Sequence, residues 1–343
     1  MGDVTRVERF GEPFFLQWNL TDRCNLDCAH CYRESPVEDL DEAGLTSVVD
    51  AFAAFITESG RDGRVMLSGG EPLLSPHLFP LIERSRAHGL PVRVLSNGTL
   101  IDEVMARRLA AAGVQAVQVS VDGGRRTHDA VRGAGTFDRA LAGMAALRAV
   151  GVDVTLAMTL SSANVRDLPA VLRIAENAAS RFHIARHVPI GRGAALDARP
   201  LSPTELRRAL VYLKRRRRRL ARSGTDLTLR DPLWKALLLR GPGCEDCVSG
   251  CSVGYNGLCI DADGTAFPCR RLPVRLGNAL TTPFPELWAH PALARMRDRD
   301  TLEGRCGRCE IRWSCGGCRA VAEALLGHPM AEDPQCFRRV PQP

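Results

Sequence analysis

Cysteine is the residue whose type and spacing say most about the chemistry of this chain. Of its thirteen cysteines, Cys24, Cys28 and Cys31 form the spacing C-x3-C-x2-C, and the other ten lie from Cys244 to Cys336. Clustered thiols in a reducing cytoplasm bind metal more often than they form disulfides. Three thiolates on a cluster of four irons leave one iron open to another ligand. The first motif therefore predicts such a cluster, with zinc or unligated thiols as alternatives.

The elements that must position this motif are alternating strands and helices. About the first 200 residues alternate short apolar runs with longer amphipathic stretches, which predicts an α/β fold with a parallel sheet. Six units of this kind build a partial (β/α)6 barrel, whose chemistry gathers at the C-terminal ends of the strands. The predicted strands are Phe14–Leu20, Arg64–Leu67, Val92–Leu95, Ala116–Val121, Val154–Leu160 and Phe182–Val188. The predicted helices include Leu45–Thr57, Met105–Ala112, Phe137–Val150 and Leu168–Ala178.

The composition changes after the predicted barrel, which we place at residues 1–200. A basic helix over about Pro203–Arg222 belongs to a predicted linker, residues 201–240, and residues 241–343 are rich in Cys, Gly and Pro. Metal clusters can organise a region of that composition better than a conventional apolar core. The run Lys214–Arg219 carries much of the net charge of +7. We interpret it as a solvated helix face, with a docking patch for an acidic partner as the alternative.

Membranes and nucleic acids are not expected partners. No apolar run approaches the roughly 18–20 residues that a membrane-spanning helix needs. The N-terminus lacks the layout of a secretion signal, so we expect a cytoplasmic protein. No nucleic-acid recognition motif stands beside the basic run.

The segment TDRCNLDCAHCYRE, which holds the first three cysteines, resembles the signature of the radical S-adenosylmethionine (SAM) superfamily. His30 stands where that family usually has an aromatic residue or histidine. The resemblance implies that Cys24, Cys28 and Cys31 bind a 4Fe–4S cluster and that SAM chelates its open iron. It also implies that one electron, from a flavodoxin- or ferredoxin-like donor, cleaves SAM to methionine and a 5′-deoxyadenosyl radical, which takes hydrogen from a substrate.

Polar residues after two further strands are similar to the family's SAM-binding positions. Gly69, Gly70 and Glu71 follow the second predicted strand. They match the family's GGE motif, which implies contact with the SAM ammonium, and the glycines allow close backbone approach. Ser120 and Asp122 end the fourth strand, and the resemblance implies that they bond the SAM ribose.

Three more polar residues have two interpretations each, one in the site and one outside it. Arg132, within HDAVR, could pair with the SAM carboxylate, because a guanidinium suits bidentate recognition of a carboxylate. The alternative for Arg132 is a surface arginine. Asn97 and Asn164 follow the third and fifth strands and serve either the site or only their loops.

The C-terminal cysteines resemble the SPASM domain of radical SAM enzymes. All seven cysteines of that pattern have counterparts here, namely Cys251, Cys269, Cys306, Cys309, Cys315, Cys318 and Cys336. One gap, filled by Gly316-Gly317, is a residue shorter than usual. A zinc ribbon is the alternative, but its cysteine pairs are separated by about 15–20 residues, far more than the gap from Cys309 to Cys315.

The resemblance implies two auxiliary 4Fe–4S clusters, which need eight thiolates if fully ligated. The first would use three cysteines of the pattern and one upstream cysteine, namely Cys251, Cys269, Cys318 and either Cys244 or Cys247. The second would use Cys306, Cys309, Cys315 and Cys336.

The substrate stays open between several classes. Modification of a ribosomally synthesised peptide is the commonest task of SPASM families and our first expectation. Cys24 lies too early for a preceding leader-binding domain, so a peptide would need a separate leader-binding protein. The alternative is a small molecule, either a sugar-containing natural product or a tetrapyrrole. The tetrapyrrole is suggested because CGGCRAVAEALLGHPMAEDPQC resembles the C-termini of haem-biosynthetic members. Arg270 stands where sulfatase-maturing enzymes have Asp, which argues against sulfatase maturation. A non-enzymatic iron–sulfur carrier is the alternative from a different functional class.

Overall fold

The computed structural model describes residues 13–33, 37–195, 198–239, 241 and 249–340. Its first half alternates six strands with six helices, and each strand pairs in parallel with the next. The strands are β1 (Phe14–Asn19), β2 (Gly63–Ser68), β3 (Val92–Ser96), β4 (Ala116–Ser120), β5 (Asp153–Leu160) and β6 (Arg181–Arg186). The helices are α1 (Glu42–Glu58), α2 (Leu78–Ala87), α3 (Glu103–Ala111), α4 (Arg125–Arg132), α5 (Thr136–Ala149) and α6 (Leu168–Ala178). The predicted α/β fold with six βα units is confirmed.

Alternation along the strands separates the apolar core from the site. Successive side chains of a strand point to opposite faces of the sheet. In β4, Val117 and Val119 are fully buried within the apolar core, whereas Gln118 and Ser120 line a cavity. The same alternation in β6 sends His183 toward that cavity. In these two strands the side chains that face the cavity thus alternate with those that face the core.

The basic helix forms where the sequence predicts it and packs on the barrel. This helix, α7 (Pro203–Arg222), begins with a capping box between Ser202 and Glu205. Its apolar stripe, which includes Leu206 and Leu213, is buried, because apolar residues at helical spacing cover one face. The strand that follows, β7 (Asp226–Leu227), pairs in parallel with β6.

The cysteine-rich region adds three short strands to the other edge of the sheet. Strand β8 (Gly257–Ile260) pairs in parallel with β1, and β9 (Thr265–Phe267) and β10 (Gly277–Asn278) follow antiparallel. The sheet therefore runs across the predicted domain boundaries, which stay predictions. The remaining helices are α8 (Leu233–Leu238), α9 (Phe284–Ala289), α10 (Pro291–Arg297), α11 (Gly304–Gly307), α12 (Arg312–Cys315) and α13 (Arg319–Leu326). None of the helices in the described ranges has the length and apolar character needed to cross a membrane.

Candidate active site

The three N-terminal cysteines lie in the loop after β1, beside the C-terminal ends of the barrel strands. Cys24, Cys28 and Cys31 line a cavity of about 230 Å³. The ends of the neighbouring strands and the loops after them complete its wall, with Ser68, Gly69, Gly70, Ser96, Asn97, Ser120, Thr159 and Ala185 among the lining residues. The cavity is thus where the βα loops converge, as expected for a barrel of this kind.

The surroundings of the cysteine thiols have opposing effects on their ionisation. Burial raises the pKa of Cys28, and the Arg132 guanidinium, whose Nη1 lies 4.0 Å from the Cys28 Sγ, acts in the opposite direction. The Cys24 Sγ accepts a hydrogen bond from the Leu26 N–H. Within the described ranges, no three Cys, His, Asp or Glu side chains converge as they would on a single ion. The thiolates of a 4Fe–4S cluster bind different irons and therefore stand farther apart.

The two glycines after β2 lie against the backbone of the cysteine loop. A methyl group on Gly69 would lie 2.4 Å from the Thr21 carbonyl oxygen, and one on Gly70 would lie 2.4 Å from the Arg23 carbonyl oxygen. Gly69 also has φ +141°, a conformation that other residues rarely adopt. The Gly70 N–H donates to Thr21 and the Glu71 N–H to Arg23. Only glycine fits here, and the close approach leaves backbone facing the cavity, as a SAM-binding cradle requires.

Glu71 is fully buried, and its carboxylate accepts hydrogen bonds from residues near the ends of β2 and β3 instead of facing the cavity. It accepts hydrogen bonds from the Ser96 hydroxyl (2.9 Å), the Asn97 N–H (2.8 Å) and the Leu73 N–H. Burial raises its pKa to about 7, although these hydrogen bonds act in the opposite direction. The carboxylate thus joins the ends of β2 and β3. Its contact with the SAM ammonium stays a prediction.

Asp122 and Arg132 form a buried ion pair beside the cysteine loop. The Arg132 Nε lies 2.6 Å from the Asp122 carboxylate, and the His30 Nε2 lies 3.2 Å from it. The Thr159 N–H donates to the second oxygen of Asp122. Burial acts to raise the pKa of Asp122, but the charge of Arg132, with His30 and the Thr159 N–H, holds it far below the usual range. Arg132 is therefore no free surface arginine, and it is oriented toward Cys28.

The other predicted polar residues separate into two groups. Ser120 and Asn97 line the cavity, and the Asn97 side chain donates to Asn25 in the cysteine loop. Asn164 instead holds its own loop, since it accepts from the Ser161 N–H and donates to the Thr159 carbonyl.

Sequence reasoning missed part of the cavity wall. His183 lies within β6 and His187 directly after it, and Arg270 and Arg271 follow Cys269 in the C-terminal region. The alternation of side chains along β6 could have indicated that the two histidines face the site. Nothing in the spacing signals that Arg270 Nη1 donates to Gln17, because 253 residues separate them.

Six arginines line this cavity, and four of them have aspartate partners. The pairs are Arg33 with Asp22 and Asp261, Arg132 with Asp122, Arg186 with Asp231 and Asp333, and Arg192 with Asp27. Arg270 and Arg271 have no carboxylate partner within the residues described. Arg270 is held by Gln17 (2.9 Å) and Arg271 by the Arg186 carbonyl (2.7 Å). The cavity thus has two uncompensated guanidiniums on one wall.

The C-terminal cysteines gather in two groups. Four of them line a second pocket, namely Cys306, Cys309, Cys315 and Cys336. Three others pack against one apolar cluster around Leu272, namely Cys251, Cys269 and Cys318, and Cys306 packs against it as well. The short gap before Cys318 is possible because Gly316 and Gly317 both have positive φ, which allows a tight turn. The two ligand sets stay predictions, and Cys244 and Cys247 lie outside the described residues.

One buried arginine connects the barrel to both cysteine groups. Arg186 at the end of β6 binds Asp231 at 2.6 Å and both oxygens of Asp333 at about 3 Å. Asp333 in turn accepts from the Cys318 N–H (2.8 Å), and its own N–H donates to the Cys306 Sγ (3.4 Å). The Arg186–Asp333 pair therefore lies between the two groups of thiols.

A partial barrel with three cysteines at its mouth, followed by clustered cysteines, defines the class of radical SAM enzymes with auxiliary clusters. The profile of the Radical SAM superfamily matches residues 18–175, and that of the SPASM iron–sulfur cluster-binding domain matches residues 251–310. The chain belongs to the radical SAM superfamily and carries a SPASM domain. It is an enzyme that uses 4Fe–4S clusters and SAM.

Several characterised proteins are similar to almost the whole chain. An AdoMet-dependent heme synthase of Methanosarcina barkeri is 33% identical, and the match covers 95% of this chain and 97% of that protein. A pre-heme d1 synthase of Dinoroseobacter shibae is 33% identical (97% and 88%), and a mycofactocin maturase of Mycobacterium ulcerans is 31% identical (95% and 88%).

Solved structures share the fold. The structure of native anSMEcpe with bound AdoMet has a TM-score of 0.70 and 22% identity, covering 89% of each chain. That of Streptococcus suis SuiB bound to S-adenosylmethionine has a TM-score of 0.75 and 16% identity, covering 98% of this chain and 79% of that one.

Proposed function

We propose that this radical SAM enzyme modifies a tetrapyrrole that carries carboxylate side chains. The observation that carries the proposal is the pair of guanidiniums, Arg270 and Arg271, that lines the cavity without an acidic partner among the described residues. Charged groups removed from water require partners, and guanidinium matches carboxylate in a bidentate geometry. A substrate with two or more carboxylates would supply them.

Relatives support a tetrapyrrole over other carboxylates. The similar proteins include AdoMet-dependent heme synthases, a pre-heme d1 synthase and an Fe-coproporphyrin III synthase of Methanosarcina barkeri that is 32% identical. Coproporphyrin carries its carboxylates on flexible propionate side chains at the rim of the ring. Such a rim could place acid groups on Arg270 and Arg271 while a side chain faces the cysteine loop.

In this proposal the barrel residues hold the reagents and the loops exclude water. Cys24, Cys28 and Cys31 hold the catalytic cluster, and bound SAM supplies the radical chemistry. The backbone of Gly69 and Gly70 would receive the SAM amino group, and Ser120 and Arg132, which line the cavity, would contact the rest of SAM. Glu71 and Asp122 are buried and would support these contacts by holding the backbone of Asn97 and the guanidinium of Arg132. Arg132, oriented by Asp122, also places a positive charge beside the Cys28 thiolate, which favours the charged form of that ligand.

The auxiliary clusters and the electron donor complete the proposal. Two further 4Fe–4S clusters are bound by the C-terminal cysteines, with Cys244 or Cys247 as the eighth ligand. A flavodoxin- or ferredoxin-like protein reduces the catalytic cluster, and the exposed basic run on α7 is its candidate docking surface, because these carriers are commonly acidic. We assign the enzyme to the cytoplasm, where free thiols stay reduced.

A ribosomally synthesised peptide is the second candidate substrate. The observation that favours it is the 31% identity to a mycofactocin maturase over 95% of this chain. A peptide rich in acidic residues could also satisfy Arg270 and Arg271.

Replacing Arg270 with glutamine is expected to weaken the binding of coproporphyrin III about ten- to a hundredfold. Loss of a charge-assisted hydrogen bond costs about 1.5–3 kcal/mol, which corresponds to one to two decades in affinity. The measurement is an anaerobic fluorescence titration of metal-free coproporphyrin III with the reconstituted protein.

The matched control is Arg107→Gln on the outer surface of α3, which removes an equal charge far from the cavity and should leave the affinity unchanged. Equal affinities of the Arg270 variant and the wild type would contradict the role of Arg270. No binding of coproporphyrin III by the wild type would contradict the tetrapyrrole proposal and favour the peptide.

A further inference from the structure

We infer that His183 binds the metal of the substrate, and that the enzyme therefore takes an iron tetrapyrrole with the His183 Nε2 as axial ligand. This inference rests on the proposed function and adds a recognition element to it. Three features of the cavity wall carry it: the position of the ring, the contact of its Nδ1 with Thr228 and the charges around it.

His183 presents a ring edge to the cavity. It lies on the interior side of β6, lines the cavity and is only partly buried. Its Nδ1 lies 2.8 Å from the Thr228 hydroxyl oxygen. Its Nε2 has no hydrogen-bond partner in the described part of the chain. By contrast, His187 is only 2% exposed, and its ring packs against Gly193, so its unpartnered Nε2 is closed off.

The contact with Thr228 orients the ring of His183. The Thr228 Oγ1 also lies 3.3 Å from the Phe182 carbonyl oxygen, which accepts the Thr228 N–H at 2.9 Å. When the hydroxyl donates to that carbonyl, it accepts from the His183 Nδ1–H, and the lone pair of the neutral ring lies on Nε2. Metal-binding histidines usually have this arrangement, in which the second nitrogen donates to a fixed acceptor that also orients the ring.

The surrounding positive charges keep the His183 ring neutral. They also favour a metal that is bound in a tetrapyrrole over a free metal cation. Burial lowers the pKa of His183 to about 3, and the charges of Arg230, Arg270 and Arg271 act in the same direction. The lone pair is therefore available at neutral pH. The same guanidiniums repel a free metal cation. Iron inside a tetrapyrrole is instead surrounded by ring nitrogens, and the carboxylates of the rim would pair with Arg270 and Arg271.

The test compares two probes that differ only in the metal. Iron(III) coproporphyrin III and metal-free coproporphyrin III are titrated into the oxidised holoenzyme and into its His183→Ala variant. We expect the variant to bind the iron complex at least about tenfold more weakly, as expected for loss of a metal-binding interaction. Its affinity for the metal-free ring should stay close to that of the wild type.

Electron paramagnetic resonance of the bound iron gives an independent reading, because oxidised 4Fe–4S clusters are silent. The wild type should show an imidazole-ligated ferric signal that the variant loses and that added imidazole restores. His183→Gln, which keeps a polar side chain of similar size, should behave like His183→Ala. His88→Ala, at the C-terminal end of α2 and remote from the cavity, should behave like the wild type.

The outcomes separate the inference from the proposed function. Unchanged iron-complex affinity and an unchanged ferric signal in both His183 variants would overturn the inference, as would an equal loss of affinity for both probes. If the wild type bound neither probe, the tetrapyrrole proposal itself would be wrong and the inference with it.

Discussion

Replacing Cys24, Cys28 and Cys31 together with alanine is expected to abolish the formation of 5′-deoxyadenosine from SAM. These residues are the only cysteines of the chain before Cys244 and all line the same cavity. Without them no iron remains at the cavity to receive SAM. The iron content should fall from about twelve to about eight atoms per chain, since each 4Fe–4S cluster contributes four. The measurements are anaerobic product analysis by chromatography and iron determination.

The retained iron is the internal control, because it shows that the C-terminal region has folded around its clusters. A matched variant is Cys259→Ala, which removes a buried thiol in β8 that has no place in the proposed ligand sets. It should still form 5′-deoxyadenosine. SAM cleavage by the triple variant would contradict the assignment, and about four remaining irons would contradict the two-cluster arrangement.

Replacing Arg186 with methionine is expected to destabilise the protein by about 3–5 kcal/mol, because removal of one partner of a buried ion pair leaves the other charge uncompensated. Arg186 is 2% exposed, and its partners Asp231 and Asp333 are 8% and 0% exposed. Asp333 also holds the backbone of Cys318 and contacts Cys306. We therefore expect loss of auxiliary iron together with a lower denaturant midpoint.

The control is Arg199→Met, which breaks two hydrogen bonds of 2.7 Å to Glu205 on the surface. Solvent screens that pair, so its loss should shift the midpoint far less. Midpoints from guanidinium unfolding of the anaerobic proteins provide the comparison. Equal shifts for the two variants would show that Arg186 does not connect the barrel to the cysteine groups in the way described.

The barrel was predictable because the apolar pattern of each strand and helix lies within a few consecutive residues. Apolar runs such as Val92–Leu95 lie inside the observed strand β3, and the helix predicted at Leu168–Ala178 has those bounds in the structure. Burial on the helix side of each strand imposes an alternation that is visible within a few residues. The cysteine motif is equally local, since eight consecutive positions hold all three thiols.

The contacts that complete the site join residues far apart in the chain and leave no local pattern. Asp333 lies 147 residues after Arg186, and Thr228 lies 45 residues after His183. A buried arginine and an exposed one look the same in sequence, which is why Arg186 was not singled out. Glu71 illustrates the converse, because its motif was recognised but the hydrogen bonds that occupy its carboxylate were not foreseeable.

The most direct test of the central claim is hydrogen transfer from a tetrapyrrole to SAM-derived product. Iron coproporphyrin III deuterated on its propionate side chains is incubated anaerobically with the reconstituted enzyme, SAM and a chemical reductant, and 5′-deoxyadenosine is analysed by mass spectrometry. We predict that the 5′-deoxyadenosine gains deuterium with the labelled porphyrin and not with the unlabelled one. If SAM is cleaved but the 5′-deoxyadenosine carries no deuterium from the labelled porphyrin, the tetrapyrrole is not the molecule on which this enzyme acts.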